Sequence, residues 1–315
     1  MRRALVFSSA LSLILLSAPA LAWWDGGHMQ IAAVAYSKLT PEAKAKADAL
    51  IKMNPDYQTW VAGVPDDKKA QYAFVHAAVW ADDIKDPAHG YTNDDDTPTG
   101  QNVGYADKNM HKYWHFKDVR FSTDTTTFPN PDPINAVSQM KLFIAALPAA
   151  SGATDDVRSY DMVWLLHLVG DIHQPLHATE RFSAINTDGD RGGNEVNVMP
   201  ATGEAIDLHA YWDRMFGGYV SAPGAIFDAN DKAGLSKVQV DREKIKILDP
   251  DVWTQESFVL GKTFAYAEPV LSEGTVSVLP RSYETDARNV ARSQAALAAA
   301  RLAAVLNAAF KWARS

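Results

Sequence analysis

Apolar residues recur at three- and four-residue spacing along most of the chain, the pattern of helices that bury one face. Gly27 to Leu39 reads as a first helix. Thr40-Pro41, a capping hydroxyl followed by a proline suited to the first turn, opens a second that runs to about Met53. Asp132-Pro133 starts another, to about Leu147. Asp155 to Asp171 forms a long helix whose run Met162-Val-Trp-Leu-Leu is apolar and therefore expected to be buried. Glu204 to Phe216, Thr254 to Leu271 and an Ala-rich helix from Tyr283 to Ala313 complete the set. Residues 86–110 and 183–197, rich in Asp, Asn, Gly and Thr, read as loops, and Val196 to Met199 as a short strand. Trp60, Trp212 and Trp253 are expected in the core. The fold class that results is all-α: one multi-helix domain with small β hairpin or strand additions.

The first residues follow a different pattern. Arg2 and Arg3 precede an apolar run from Ala4 to Leu16, and Ala20-Leu-Ala22 offers small residues at a cleavage site. This is the layout of a secretory signal peptide over residues 1–22. Its apolar core is short for a membrane span of about 20 residues. The expectation is an exported protein, periplasmic or secreted, with one domain over residues 23–315, no membrane anchor after cleavage, and a monomeric state. The 315 residues carry a net charge of −8 and no cysteine. Loss of Arg2 and Arg3 takes that charge to −10. The acidic balance argues against a non-specific grip on long duplexes, and the missing cysteines exclude disulfides and thiolate metal sites.

Candidate chemistry concentrates in His167-Leu-Val-Gly-Asp171-Ile-His-Gln-Pro-Leu-His177. His167 and Asp171 stand four apart, on one face of the long helix. A buried His and Asp need a neutralising partner, and a divalent metal would serve. Pro175 ends the helix and lets His177 turn toward a neighbouring site. His209-Ala-Tyr-Trp-Asp213 repeats the four-residue spacing. Asp82 follows Trp80-Ala, His115 lies in Tyr113-Trp-His-Phe116, and His28 follows Trp23-Trp-Asp-Gly-Gly. Eight such nitrogen and oxygen donors exceed one four-coordinate site, and two or three clustered metals, zinc first, fit better. Cleavage after Ala22 would free the Trp23 amine, which can chelate a metal together with its own carbonyl.

These pieces, in this order, resemble the zinc-dependent, single-strand-preferring nucleases of the S-one/P-one type. Lys85, Asp118, Gly192-Gly-Asn194 and Arg301-Leu-Ala-Ala-Val-Leu extend the likeness over the whole mature chain. The resemblance implies the helical fold shared with zinc phospholipase C and three zinc ions. Asp82, His115, His167 and Asp171 would hold one. Trp23, His28 and the second oxygen of Asp171 would hold another. His177, His209 and Asp213 would hold the third. It implies hydrolysis of RNA and single-stranded DNA by a zinc-bridging hydroxide, leaving 5′-phosphates, with possible action on 3′-nucleotides. Asp82, Lys85 and Asp171 would be catalytic, while Phe116, Asp118 and Asn194 would bind substrate. The Thr-, Pro- and Asp-rich stretch from Val119 to Pro133 and the absent cysteines depart from fungal members.

Two other functions compete. A zinc phospholipase C would end its last donor pair in His-x-x-x-Glu and lack Gly-Gly-Asn, and a non-catalytic zinc protein would use one closed site or a His-rich tract. Other polar residues read as structural. His76 and His111 are expected to be ordinary polar positions, His89 solvated, and His173 turned away from His167 and Asp171. Asp94-Asp-Asp96 reads as a solvated acidic run, and Asp188-Gly-Asp190 lacks the remainder of a calcium loop.

Overall fold

A computed structural model describes residues 23–217, 219–272 and 276–311. The expected signal segment and the last residues of the expected final helix lie outside them. The helices are α1 (Asp25–Ser37), α2 (Pro41–Ile51), α3 (Tyr57–Trp60), α4 (Asp66–His76), α5 (Trp80–Asp83) and α6 (Ala136–Ala146). They continue with α7 (Asp155–Asp171), α8 (Leu208–Asp213), α9 (Ala222–Asn230), α10 (Arg242–Lys246), α11 (Pro250–Leu260) and α12 (Arg281–Ala309). The short strands are β1 (Val119–Ser122), β2 (Thr179–Phe182), β3 (Asn197–Met199), β4 (Ile206–Asp207) and β5 (Ser277–Val278). β1 pairs in parallel with β2, while β3 pairs antiparallel with β4 and parallel with β5. No described helix is long and apolar enough to cross a membrane.

Capping residues explain where the helices start. Thr40 and Thr154 accept from the amides three residues on and open α2 and α7. α6 begins at Ala136 rather than near Asp132, because Asn135 and Ser138 form a reciprocal capping box. The expected helix from Glu204 is instead β4 followed by the short α8. The Asp207 side chain accepts from Ala210 N, which fixes the helix start after it. The helix expected to run to Leu271 leaves α-helical geometry at a π-turn over Gly261–Ala265.

α7 is the axis of the molecule. From Arg158 to Asp171 every residue is buried, which a helix needs when it is covered on all sides. It packs on α2, α6 and α12, while α1 packs on α4, α9 and α12. Trp60, Trp212 and Trp253 are buried as expected. A second, smaller core gathers Val198, Trp212, Tyr266 and Tyr283 under the β3–β5 sheet. Arg301 of α12 ties the back of α7 down. Its guanidinium reaches Glu256 at 2.7 Å and His173 Nε2 at 3.0 Å.

Candidate metal centre

Three donor groups lie together where α7 ends. His28, His167 and Asp171 form one, Asp82, His115 and His167 a second, and His177, His209 and Asp213 a third, all buried. His167 belongs to the first two, so these are one contiguous cluster of five residues. Asp171 sits at its centre. Its Oδ1 is 3.2 Å from His28 Nε2, and its Oδ2 is 3.0 Å from His115 Nδ1 and 3.2 Å from His167 Nε2. Asp82 Oδ1 is 3.6 Å from His167 and 3.8 Å from His115, and it accepts from Lys85 Nζ at 2.6 Å.

Close packing makes this cluster possible. The His28 ring stacks on His167 with centroids 3.9 Å apart. It also lies so near α7 that a Cβ at Gly170 would stand 2.8 Å from His28 Nδ1. Trp23 is fully buried beside it, and its indole donates to Gly170 O at 2.9 Å. The next amide, Trp24 N, donates to Asp213 O at 3.0 Å. Trp23 is thus pinned between the ends of α7 and α8, next to both clusters.

The second cluster is built from short elements. After α7 the Gln174 side chain caps a 3-10 turn over Pro175–Ala178, accepting from Leu176 N at 2.6 Å. Its other amide end donates to Asp213 Oδ1 at 2.7 Å. His177 Nδ1 donates to His115 O and His209 Nδ1 to Gly192 O, both at 2.8 Å. With those protons committed, each Nε2 of the neutral rings presents a lone pair. The two Nε2 atoms face each other at 3.1 Å. Two lone pairs at that distance repel, and a cation between them would turn the repulsion into ligation. Asp82 Oδ2 and Asp213 Oδ2 are buried without a hydrogen bond, a second mark of a site shaped for positive charge.

Charge regulation follows the same division. Burial holds His177 down to about 4 and His209 to about 3, so both rings are neutral, the form that binds metal. His115 is lowered to about 4 by burial and by Lys85. Burial also opposes charge on His167, but Asp171 and Asp82 outweigh it and raise it to about 9. Burial works against the Asp171 carboxylate too, yet His167, His115 and His28 hold it well below the usual range. Asp213 goes the other way: burial raises it well above that range, with only the Gln174 hydrogen bond opposing strongly.

A cavity of about 370 Å³ opens above both clusters. Lys85, His115, Phe116, Asp118, His177, Asn194 and His209 line it, which brings the expected substrate-binding residues to the expected donors. Sequence reasoning missed Gln174, Glu180 and Arg191, since polar residues in turns, loops and a four-residue strand carry no periodic signal. It also misjudged two others. Asp94 is buried rather than solvated, and His111 is fully buried between Asp94 and Asp107, at 2.7 and 2.8 Å. His111 stacks on Trp114 under the turn that carries His115. His173 is not a donor, as expected: its ring bonds Val169 O and Arg301.

A family model described as S1/P1 Nuclease matches residues 23–311. No curated protein matches the chain.

Proposed function

Because the chain belongs to the S1/P1 nuclease family, we propose that it is an exported trinuclear-zinc enzyme that cleaves RNA and single-stranded DNA to 5′-phosphorylated products, and also acts on 3′-nucleotides. The observation that carries this reading is the facing pair of neutral imidazole nitrogens, His177 and His209, 3.1 Å apart on the floor of a cavity. The donors are all nitrogen and oxygen, which suits zinc. Asp82, His115, His167 and Asp171 would hold one ion. His28, Asp171 and the amine and carbonyl of a mature Trp23 terminus would hold a second. His177, His209 and Asp213 would hold the third. Bound zinc supplies Lewis acidity and lowers the pKa of water toward ~7.

The remaining steps belong to the chain's own residues. Asp82, with one oxygen on Lys85 and the other unpartnered, orients the attacking water. Lys85 places a fixed positive charge beside the phosphate and the leaving 3′ oxygen. Phe116, partly exposed at the rim, offers a ring face for a base. Asn194 uses its amide N–H on Arg191 O at 2.6 Å, which leaves Oδ1 as an acceptor for a base amino group. Burial and the nearby Glu180 carboxylate hold Asp118 well above the usual carboxylate range, so it can donate as well as accept.

The test is elemental analysis of mature protein purified without chelator, together with product analysis on matched RNA and single-stranded DNA. Near three zinc ions per chain and 5′-phosphorylated fragments are expected. One zinc with full activity, or phosphocholine release from phosphatidylcholine in place of nucleotide release, would overturn the reading. Intact mass should place the mature terminus at Trp23.

A further inference from the structure

We propose that Arg191 is a phosphate-binding residue for the substrate strand, holding a phosphate that neighbours the one being cleaved; this rests on the nuclease reading of the site. Three cations line the cavity above the donor clusters: Lys85, Lys112 and Arg191. Lys85 is committed to Asp82, and its side chain is 8% exposed. Lys112 stands 3.7 Å from Asp95. The Arg191 side chain is 74% exposed, and its one ion pair among the described residues is Glu195, itself half-exposed and 3.5 Å away. Such a pair holds an arginine weakly. A polyanionic strand entering a protein of net charge −8 needs local cations, and Arg191 is the most exposed of the three, its side chain 74% exposed against 39% for Lys112.

The backbone adds an independent observation. Arg191 has φ +53°, followed by Gly192 at +63° and Gly193 at +86°. This left-handed region suits glycine and costs any side-chain-bearing residue free energy. The two following positions are glycine, but position 191 keeps a long charged side chain despite that cost. The loop enforces the conformation. Asn194 Nδ2 donates to Arg191 O, and buried Asp190 accepts from Arg181 N at 3.1 Å and Gly193 N at 3.2 Å. Strain held in place by surrounding hydrogen bonds, at the mouth of a substrate cavity, points to a use for the side chain. The scissile phosphate is served from the floor by the donor clusters and Lys85. Arg191, on the wall beside Asn194, is placed for the next phosphate along the strand, with the bidentate geometry a guanidinium offers.

The experiment compares Arg191→Ala, Arg191→Gly and Arg191→Lys in the zinc-loaded mature protein. Substrates are a single-stranded deoxythymidine ten-mer and the one-phosphate dinucleoside thymidylyl-thymidine. On the ten-mer, Arg191→Ala and Arg191→Gly should each raise KM roughly tenfold at unchanged kcat, the scale of an exposed charge-assisted hydrogen bond. Each should lower the slope of log affinity against log salt by about one. Arg191→Lys keeps the charge, so it should restore the salt slope but only part of the KM, because an ammonium cannot hold two phosphate oxygens in parallel. All three should match wild type on thymidylyl-thymidine, which has no neighbouring phosphate. Arg191→Gly should also melt higher than Arg191→Ala, since glycine relieves the strain. An unchanged ten-mer KM and salt slope, or an equal loss on thymidylyl-thymidine, would overturn the proposal. Anisotropy with a labelled phosphorothioate ten-mer reads the same contact without turnover. A wild type that binds this probe but cleaves nothing would defeat the nuclease reading alone, and the salt slopes would still decide Arg191.

Discussion

The two donor clusters under the cavity reach the same end by different means. The one around Asp171 draws on α1, α5, α7 and the turn that carries His115, and it balances its own charge. His28, His115 and His167 all face the Asp171 carboxylate and hold it ionised. The one around Asp213 draws on a 3-10 turn and the short α8. It contains one carboxylate, which burial drives toward the protonated form, and two neutral imidazoles that confront each other. Without a cation the first cluster is largely paired through Asp171, with Asp82 Oδ2 left over, whereas the second is a set of unmet lone pairs. A buried ionised group is tolerable only when paired. The Asp213 cluster therefore depends more on bound metal and on the few contacts that orient it.

The largest test of that difference is at Asp171. Asp171→Asn keeps the size but removes the charge that three histidines share. We expect at least ~100-fold loss of turnover, the scale of damage to electrostatic support of a transition state. More than one metal ion should be lost per chain, because in the proposed assignment the carboxylate would serve two of them. Near-normal turnover in this variant would mean that the cluster does not organise the chemistry.

The contrast also explains what the sequence made legible. The Asp171 cluster was readable because His167 and Asp171 lie on one face of α7, whose span, Asp155–Asp171, agrees with the residue pattern to the residue. An apolar helix carrying two polar donors stands out by its period. His209 and Asp213 were found by the same spacing, although the helix that carries them is far shorter than expected, because the Asp207 cap leaves no room for an earlier start. Gln174 gave no such signal. Its role comes from a chain reversal that brings α8 against the turn after α7, a tertiary event with no local signature. The burial of Asp94 and His111 was hidden for a like reason: an acidic run reads as solvated until a buried imidazole lies between its carboxylate and that of Asp107. The helices α3, α4, α5, α9 and α10 were also missed, since four to eleven residues give a weak period.

Gln174 sharpens the comparison because its side chain touches one cluster only. It is fully buried, and both ends of its amide are engaged, with Leu176 N and Asp213 Oδ1. Gln174→Ala removes the donor that orients Asp213 and frees the turn that carries His177. A hydrogen bond to a charged group contributes about 1.5–3 kcal/mol, so metal affinity at the Asp213 cluster should fall roughly tenfold or more. Metal content should drop toward two per chain, with the Asp171 cluster still loaded. Loss of all metal would show that the two clusters are not separable.

The smallest effect is expected from pH, and it tests the protonation states assigned to the two clusters. In the metal-free fold His167 is raised to about 9, by Asp171 and Asp82 against the pull of burial, and Asp213 is raised well above its ordinary value by burial. His167 holds a proton at neutral pH, and Asp213 is shifted in the same sense, each relative to an unfolded chain that holds its proton less tightly. They stabilise the metal-free fold at low pH, and that stability is lost as pH rises through their folded values. His115, His177 and His209 act in the opposite sense. Their folded values of about 4, 4 and 3 lie below the ordinary 6.5, so the unfolded chain takes up protons that the fold refuses as pH drops from 6.5 toward 4. Stability of the chelator-stripped protein should therefore be greatest near pH 6.5 and decline on both sides. Metal binding displaces the proton on His167, so metal affinity improves as pH rises between 6 and 8. One proton displaced is ~1.4 kcal/mol per pH unit, and in a domain of this size that moves a melting midpoint by a few degrees. The gap between the midpoints of zinc-loaded and stripped protein, measured by calorimetry at pH 6, 7 and 8, should widen by that amount at each step. A gap that stays constant would mean that His167 gives up no proton to the metal. It would leave the lone-pair confrontation of His177 and His209 and the unpaired Asp82 Oδ2 and Asp213 Oδ2 as the electrostatic demand for a cation.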